Sequence, residues 1–335
     1  MENGGTQMID VMKMFKARMF MKRNEPFLFS WHAYVGYELD LFKAFDRPMT
    51  KFDVADALQL DKDLLNQWVT VGVSIGHLKE VDRNRYKTWN AWKLPKPKGD
   101  NSSGVLLKEM MELHIPTLLS YPDMMRKQDR LHYDEEKHAP TVAETSRLLE
   151  VLALPKMARR LKDTQAEAVL DIGCGEGGYI KKLAERFPNT HFTGIEISPS
   201  VTEVAKKLTK DNSNITIENA DLWKYKPDQA QDMVMMNNVI HYIDLEKRQE
   251  LFNELASWIK AKGKLSIITP IAGDTDSPPF ANVFNSFFSS FDNLYRLPER
   301  EELAEWGERA GLELQNIQTV IKEGGWYVVH YEKKS

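Results

Sequence analysis

The sequence predicts an α/β protein: a doubly wound, Rossmann-like sheet of seven strands with an antiparallel last strand, preceded by a mainly helical winged-helix domain. Three observations predict it. From residue 167 onward, short apolar runs alternate with amphipathic helical stretches, the pattern of parallel strands with helices on both sheet faces. A glycine-rich turn, Gly173-Cys-Gly-Glu-Gly-Gly178, joins the first of those strands to the first helix. Before residue 94 the order of elements is helix, helix, helix, hairpin.

A chain of 335 residues has room for two domains, each with its own core. In residues 8–45, Phe27, Trp31, Tyr34, Leu41 and Phe45 recur at helical spacing until Asp46-Arg47-Pro48 stops the pattern. Thr50, with Asp53 three residues on, opens a short helix through Val54, Ala57 and Leu58 in the manner of a capping box. Asp61 caps a helix over 62–76 that should bury Leu64, Leu65, Trp68, Val71 and Ile75. Leu78–Val81 and Arg85–Trp89, joined by Asp82-Arg-Asn84, read as a hairpin. Such a unit often binds DNA, which requires Arg, Lys, Asn or Gln facing phosphates and base edges. Helix 62–76 sets Lys62 against Asp63 and shows only Asn66, Gln67, Thr70 and Ser74 outward. Residues 1–93 are therefore expected to serve dimerisation or substrate capping, not nucleic-acid binding.

Residues 94–104 form a Pro/Gly/Ser-rich linker, and 105–162 return to helical patterning broken at Pro116, Pro122, Pro140 and Pro155. The stretch 94–162 is expected to connect the domains and add to a substrate pocket. The third region, 163–335, places strands near 167–172, 191–196, 214–219, 232–237 and 264–270, and helices near 177–187, 199–210 and 245–261. An insertion (271–297), a helix (299–310) and two strands (312–321 and 325–333) follow, the strands joined at Lys322-Glu-Gly-Gly325. No repeat of fixed period appears, so a solenoid is not supported.

Composition narrows the function classes. With 42% hydrophobic residues, 28% charged residues and a net charge of −4, the chain has no field to attract nucleic acid or an anionic membrane. No apolar run approaches the roughly 18 residues that span a bilayer. Met8, Met12, Met14, Met19 and Met21 are interrupted by Asp10, Lys13, Lys16 and Arg18, unlike a signal peptide. A cytoplasmic protein is the default expectation. Cys174 stands alone, which excludes an internal disulfide and a multi-cysteine metal site. His114, His132 and His138 match no metal-site spacing, so no metal is expected.

The densest chemical signal is Val169-Leu-Asp-Ile-Gly-Cys-Gly-Glu-Gly-Gly178. Glycines let a ligand approach backbone, and the following helix N-terminus favours an anionic group. Gly173, Gly175 and Gly178 fit G-x-G-x-x-G, which is weak evidence by itself. Asp171, at the strand's end, suits a cationic ligand such as a sulfonium bearing an amino group; nicotinamide folds usually keep that position apolar. Glu196 ends the second strand, 19 residues after Gly177, where a carboxylate can accept both hydroxyls of a ribose. Asp221 follows the third strand, near the place of an adenine. Three acids at successive strand ends lie on the rim where open α/β sheets bind ligands.

Together with Gly194-Ile-Glu196, Ala220-Asp-Leu222 and Asn237-Asn-Val-Ile-His-Tyr-Ile243, this segment resembles the class I S-adenosylmethionine-dependent methyltransferases over about residues 165–333. Trp31-x-x-x-x-Gly36, Leu41-Phe42, Leu58-x-Leu60-Asp61 and Leu78-x-Glu80 are similar to the N-terminal winged-helix dimerisation domain of small-molecule O-methyltransferases. The resemblance implies S-adenosylmethionine as cofactor, with Gly177, Leu222 and Asn237 joining Asp171, Gly173, Gly175, Glu196 and Asp221 around it. It also implies a homodimer and a small-molecule acceptor.

His241 is where the resemblance puts a general base for a hydroxyl acceptor, and a neutral imidazole suits that role. The other reading is a histidine that only packs against or positions the acceptor. The family usually supports this histidine with a carboxylate after the fifth strand, where the chain has Ile268-Thr269-Pro270, and with a second acid where Leu297 or Pro298 falls, close to Glu299 and Glu301. Amine, thiol or carbon acceptors therefore stay open beside oxygen. In the insertion, Pro278-Pro279 can start a helix whose Phe280, Phe284, Phe287, Phe288 and Phe291 form one apolar face. With Tyr121, Met124, Met125 and Tyr133, the Phe284 and Phe288 positions are expected to line a flat, largely apolar acceptor pocket. A nicotinamide-dependent oxidoreductase and a cofactor-sensing winged-helix regulator are the competing classes.

Overall fold

The computed structural model describes residues 3–99, 102–273 and 278–335. Residues 274–277 of the insertion lie outside the described residues, as do the side chains of Met8, Asp10 and Pro140. The chain divides into two compact units, Met1–Leu113 and His114–Ser335.

In the first unit the expected long helical stretch is α1 (Asn3–Arg23), α2 (Glu25–Glu38) and α3 (Leu41–Ala44). Proline near the start of α2 fits the first turn, where no intrahelical N–H bond is lost. Then come β1 (Met49–Thr50), α4 (Lys51–Leu58), α5 (Lys62–Ser74), β2 (Leu78–Asp82) and β3 (Arg85–Thr88), with α6 (Gly104–Glu109) after the linker. Both caps form where the residues called for them: Thr50 Oγ1 accepts from the Asp53 N–H at 3.1 Å, and Asp61 Oδ1 from the Leu64 N–H at 2.8 Å. The hairpin joins β1 in a three-stranded antiparallel sheet of order β1-β3-β2.

The buried face of α5 differs from expectation. Leu65, Trp68, Val69 and Gly72 are buried, whereas Leu64 faces solvent and Val71 and Ile75 are half-buried. Trp68 decides the rotation: its ring stacks on His32 at 4.1 Å and its Nε1–H donates to the His32 carbonyl at 3.2 Å. His32 Nε2 faces the Trp68 carbonyl at 3.0 Å, and His32 Nδ1 meets His77 Nδ1 at 2.9 Å.

The second unit opens with α7 (Ile115–Leu119), α8 (Tyr121–Lys127) and α9 (Glu135–Thr164). Pro116 and Pro122 do start helices, but α9 runs unbroken through positions 140 and 155. An interior proline removes one backbone bond, and the burial of Leu149, Ala153, Leu154, Met157 and Leu161 along one face outweighs that loss. Then follow β4 (Ala168–Ile172), α10 (Gly178–Arg186), β5 (His191–Glu196), α11 (Pro199–Thr209), β6 (Ile215–Asn219), β7 (Gln231–Asn237), α12 (Arg248–Trp258), β8 (Ile259–Pro270), α13 (Pro279–Phe288), α14 (Arg300–Arg309), β9 (Leu312–Ile321) and β10 (Trp326–Lys333).

These strands form one sheet of order β6-β5-β4-β7-β8-β10-β9, parallel except that β10 runs antiparallel to both neighbours. One core packs α12 and α14 residues such as Phe252 and Leu303 against one face; the other packs α9 and α10 residues such as Met157 and Ile180 against the opposite face. Strand order reverses at β4, between β5 and β7, which leaves a crevice at the carboxyl ends of those strands. α12 is shorter than expected because residues 259–261 already belong to β8.

Candidate functional site

β4 delivers Asp171 to the crevice, and the glycine turn carries the chain over it into α10. Gly173, Gly175 and Gly177 all take positive φ (63°, 55° and 82°). A Cβ at Gly175 would meet nothing within 4 Å, so its backbone borders open space. Gly178 answers a different need: a Cβ there would fall 2.3 Å from Glu150 Oε1.

Asp171 is 1% exposed, and Asn237 Nδ2, at the end of β7, donates to its Oδ1 at 3.1 Å. Burial, with the charges of Glu150 and Glu196 nearby, holds its carboxyl well above the usual carboxylate range. The Oδ1 of Asn237 is buried with no partner among the described residues, a polar atom whose missing bond a ligand donor would supply. Glu196, at the end of β5, accepts the Gly175 N–H at 3.1 Å on Oε2 and the Ser198 N–H at 3.0 Å on Oε1. The backbone of Glu196 in turn takes the Ala220 N–H at 3.0 Å and Asn219 Nδ2 at 2.9 Å, which registers the turn after β6 against it. In that turn Asp221 accepts the Trp223 N–H at 3.0 Å and lies 3.4 Å from Lys224 Nζ, while Leu222 packs on the core. The acids and glycines singled out in the sequence thus converge on one rim.

His241 sits in a single turn of 3₁₀ helix (Ile240–Tyr242) after β7 and is 6% exposed. Its ring lies 4.3 Å from Phe288 and 4.6 Å from Tyr242, and its carbonyl accepts the Tyr295 N–H at 2.8 Å. Burial, then the nearby Arg248 cation, push its pKa down to about 3. Among the described residues its Nδ1 is buried without a partner, and no carboxylate bonds to the ring. Thr269 is fully buried and turns its hydroxyl to the Pro270 carbonyl; Leu297 is buried too. Glu299 caps α14 in a box with Glu302, whose carboxylate also holds Arg296.

An aromatic path leaves His241 through Phe288, Phe287 and Phe291 to Tyr133. α13 ends at Phe288, so Phe291 lies in the turn beyond it, where its residue bridges Leu131. Phe284 is half-buried and packs edge-on against Trp326, whose Nε1–H donates to Asn238 Oδ1 at 3.0 Å. Phe280 faces solvent. Tyr121 and Met124 share the half-buried side of α8, where Tyr121 donates to the Ser286 carbonyl at 2.9 Å. Met125, one position round that helix, is 74% exposed and is not brought to this group. His114 packs on Phe284 and Phe287, His132 meets Asp292 at 2.8 Å, and His138 stacks on Tyr133.

Three buried polar residues carry no motif and were not singled out. Glu150, on the sheet-facing side of α9, pairs with Lys182 Nζ at 2.5 Å. Tyr179 buries a hydroxyl with no partner among the described residues. Arg248 is fully buried, donating from Nε to the Ile243 carbonyl at 3.2 Å and from Nη2 to the Arg296 carbonyl at 2.7 Å. A lone acid among Leu149, Ala153, Leu154 and Met157 was the available signal for Glu150.

Residues 169–263 match the family model described as a methyltransferase domain. A malonyl-[acyl-carrier protein] O-methyltransferase 1 of Ilyobacter polytropus is 34% identical over 101 residues, 30% of this chain and 37% of that protein. The chain thus spans well under half the length of that curated relative. Among solved structures, the mitomycin 7-O-methyltransferase MmcR superposes with a TM-score of 0.75 at 16% identity, covering 96% of this chain and 99% of that one. Human N-acetylserotonin methyltransferase in complex with SAM superposes at 0.73 and 16%, covering 96% and 98%. These likenesses extend over both units and establish the fold.

Proposed function

We propose that this chain, whose residues 169–263 are a methyltransferase domain within the class I fold, transfers a methyl group from S-adenosylmethionine to a small, largely apolar acceptor, at a hydroxyl. The observation that carries the cofactor assignment is the rim of the β4–α10 turn. Asp171 is a buried acid whose protein partner, Asn237, brings no charge, so the position is made for a cation. Beside it, Asn237 Oδ1 lacks a donor and the Gly175 backbone is open to close approach. Glu196 keeps lone pairs for ribose hydroxyls beyond its two backbone bonds. A nicotinamide dinucleotide would set a pyrophosphate against the Asp171 acid, which opposes it. The cofactor would supply an electrophilic methyl on sulfur; this chain supplies the positions of donor and acceptor and the exclusion of water.

His241 is the acceptor-side residue in this reading. It stays neutral because burial and Arg248 disfavour its cation, and its tilted contact with Phe288 sets it at the end of an aromatic wall. An unprotonated imidazole there can accept the hydrogen bond of an acceptor hydroxyl and take its proton as the carbon–oxygen bond forms. A second reading is favoured by the unpaired Nδ1: without an orienting acid, His241 would position an amine, thiol or carbon nucleophile that needs no base.

Titration calorimetry with S-adenosylmethionine, S-adenosylhomocysteine and NAD tests the assignment. Binding of the first two and not the third is expected. NAD binding with no response to S-adenosylhomocysteine would refute it. Glu196→Ala should weaken the cofactor by about 1.5–3 kcal/mol, as for lost bonds to a charged group.

A further inference from the structure

Trp326 opens β10, more than 60 residues beyond the segment that matches the methyltransferase family model, yet its side chain reaches the loop that leaves β7. We propose that Trp326 is a positioning residue for the cofactor: its indole N–H holds Asn238 in a left-handed turn that sets Asn237 beside Asp171 and Val239 against the glycine turn. This rests on the placement of S-adenosylmethionine at the β4–α10 turn.

β7 ends at Asn237, whose Nδ2 donates to Asp171 Oδ1 at 3.1 Å. The next backbone N–H, that of Asn238, still donates to the Ile268 carbonyl of β8 at 2.7 Å, but there the chain bends, with φ of 56° at Asn238. A residue other than glycine holds that backbone only where its surroundings over-determine it, and asparagine tolerates it better than most. Here β10 supplies the constraint: Trp326 Nε1–H donates to Asn238 Oδ1 at 3.0 Å. Beyond the bend Val239 packs on the glycine turn, since a Cβ on Gly173 would fall 2.6 Å from Val239 Cγ2. The Val239 carbonyl then accepts the Tyr242 N–H at 2.9 Å and so opens the 3₁₀ turn of His241. One bent residue thus separates a cofactor contact on one side from His241 on the other.

Trp326 is itself fixed from the acceptor side. Phe284 of α13 meets its ring edge-on at 4.8 Å, with the planes at 87°. A Cβ at Gly325 would fall 2.6 Å from the Ala281 Cβ, so the start of β10 lies against the same helix. Within the sheet Trp326 is registered opposite Pro270 of β8 and Ile321 of β9. Phenylalanine at this position would keep an aromatic ring against Phe284 and delete the donor. The hydrogen bond to Asn238 can therefore be tested apart from the bulk of the side chain.

The test is a double-mutant cycle read in cofactor affinity, which needs no acceptor. S-adenosylmethionine is titrated calorimetrically into the full wild-type chain, Trp326→Phe, Asn238→Gly and the double variant, with a thermal melt of each. Trp326→Phe should weaken binding by roughly three- to tenfold, the size of one neutral hydrogen bond. In the Asn238→Gly background, where glycine takes the left-handed turn unaided, the same substitution should change the Kd less than twofold. A core tryptophan with no positioning role would lower the melting point and leave the two backgrounds alike. Equal losses in both backgrounds, or no loss in Trp326→Phe, would overturn the proposal. If Trp326→Phe does not fold, Asn238→Ala against Asn238→Gly decides. Both lose the side-chain bond, but alanine alone resists the turn, so alanine should bind several-fold more weakly, and equal Kd values would overturn the proposal. Wild-type affinity in Asn237→Ala would instead bring down the placement of the cofactor, and this inference with it.

Discussion

Gly175 and Gly178, three residues apart, do opposite jobs, and single methyl groups separate those jobs. Gly175→Ala meets no atom but forces a side chain into left-handed backbone, so it should cost about 1–2 kcal/mol of stability. Its larger effect should fall on cofactor affinity, because the added methyl occupies the open side of the turn. Gly178→Ala instead drives a methyl into Glu150 and should cost about 1–3 kcal/mol as overpacking. Thermal melts with and without S-adenosylmethionine check both; equal ligand-induced stabilisation in Gly175→Ala and wild type would contradict the assignment. At His241 the decisive quantity is pH. The imidazole is neutral above its lowered pKa of about 3, so the rate of a base-assisted transfer should show no fall near the ordinary value of about 6.5. His241→Ala should lower kcat by ~10²–10⁴-fold with cofactor affinity nearly unchanged if it is the base. A loss confined to the acceptor's KM would assign it to positioning, and with it a non-hydroxyl acceptor.

Elements differ in how openly their residues declare them. The order of strands and helices after residue 167 was legible, but not every bound: the strand expected at 264–270 begins at Ile259, and the helix expected over 245–261 is Arg248–Trp258. The face of α5 was not legible, since Leu64 and Leu65 are equally apolar and only the long-range stack of Trp68 on His32 chooses between them. The rim acids were legible from their spacing after strands. Glu150 was not, because its partner Lys182 is 32 residues away and no local pattern joins α9 to α10. The α2–α5 junction carries a prediction of its own. His32 is fully buried and its pKa is pushed down to about 4 by burial, and burial lowers His77 also. The folded form disfavours their cations, so this contribution is complete above pH of about 6.5 and is lost as pH falls from there toward 4. Tryptophan fluorescence melts between those pH values should report a falling midpoint for the first unit; a level midpoint would show that the pair does not govern it.

At the scale of the whole molecule, the first unit exposes Met12, Phe15, Met19, Phe20, Phe27, Phe29 and Trp31 along α1 and α2. That is more apolar surface than an isolated chain keeps in water, and we propose that it is covered by a second copy. Light scattering at micromolar concentration should give a dimer, and removing residues 1–23 should yield aggregation; a monomeric full-length chain would refute the proposal. Within the described residues no helix is long and apolar enough to cross a membrane.

β10 follows every other strand in the chain and yet lies inside the sheet, bonded to β8 on one side and β9 on the other. Trp326, at its start, also steadies Asn238, three residues before His241. On the ribosome this order has a consequence. A nascent chain that has emerged as far as Ile321 holds the complete cofactor rim, but β9 has nothing to pair with and the His241 turn lacks its brace. The parallel half of the sheet can assemble during synthesis, while closure must wait for residues 326–333 to leave the exit tunnel. Premature release just before β10 would therefore yield a protein that has its glycine turn but not a settled acceptor side, with two strand edges open to other chains.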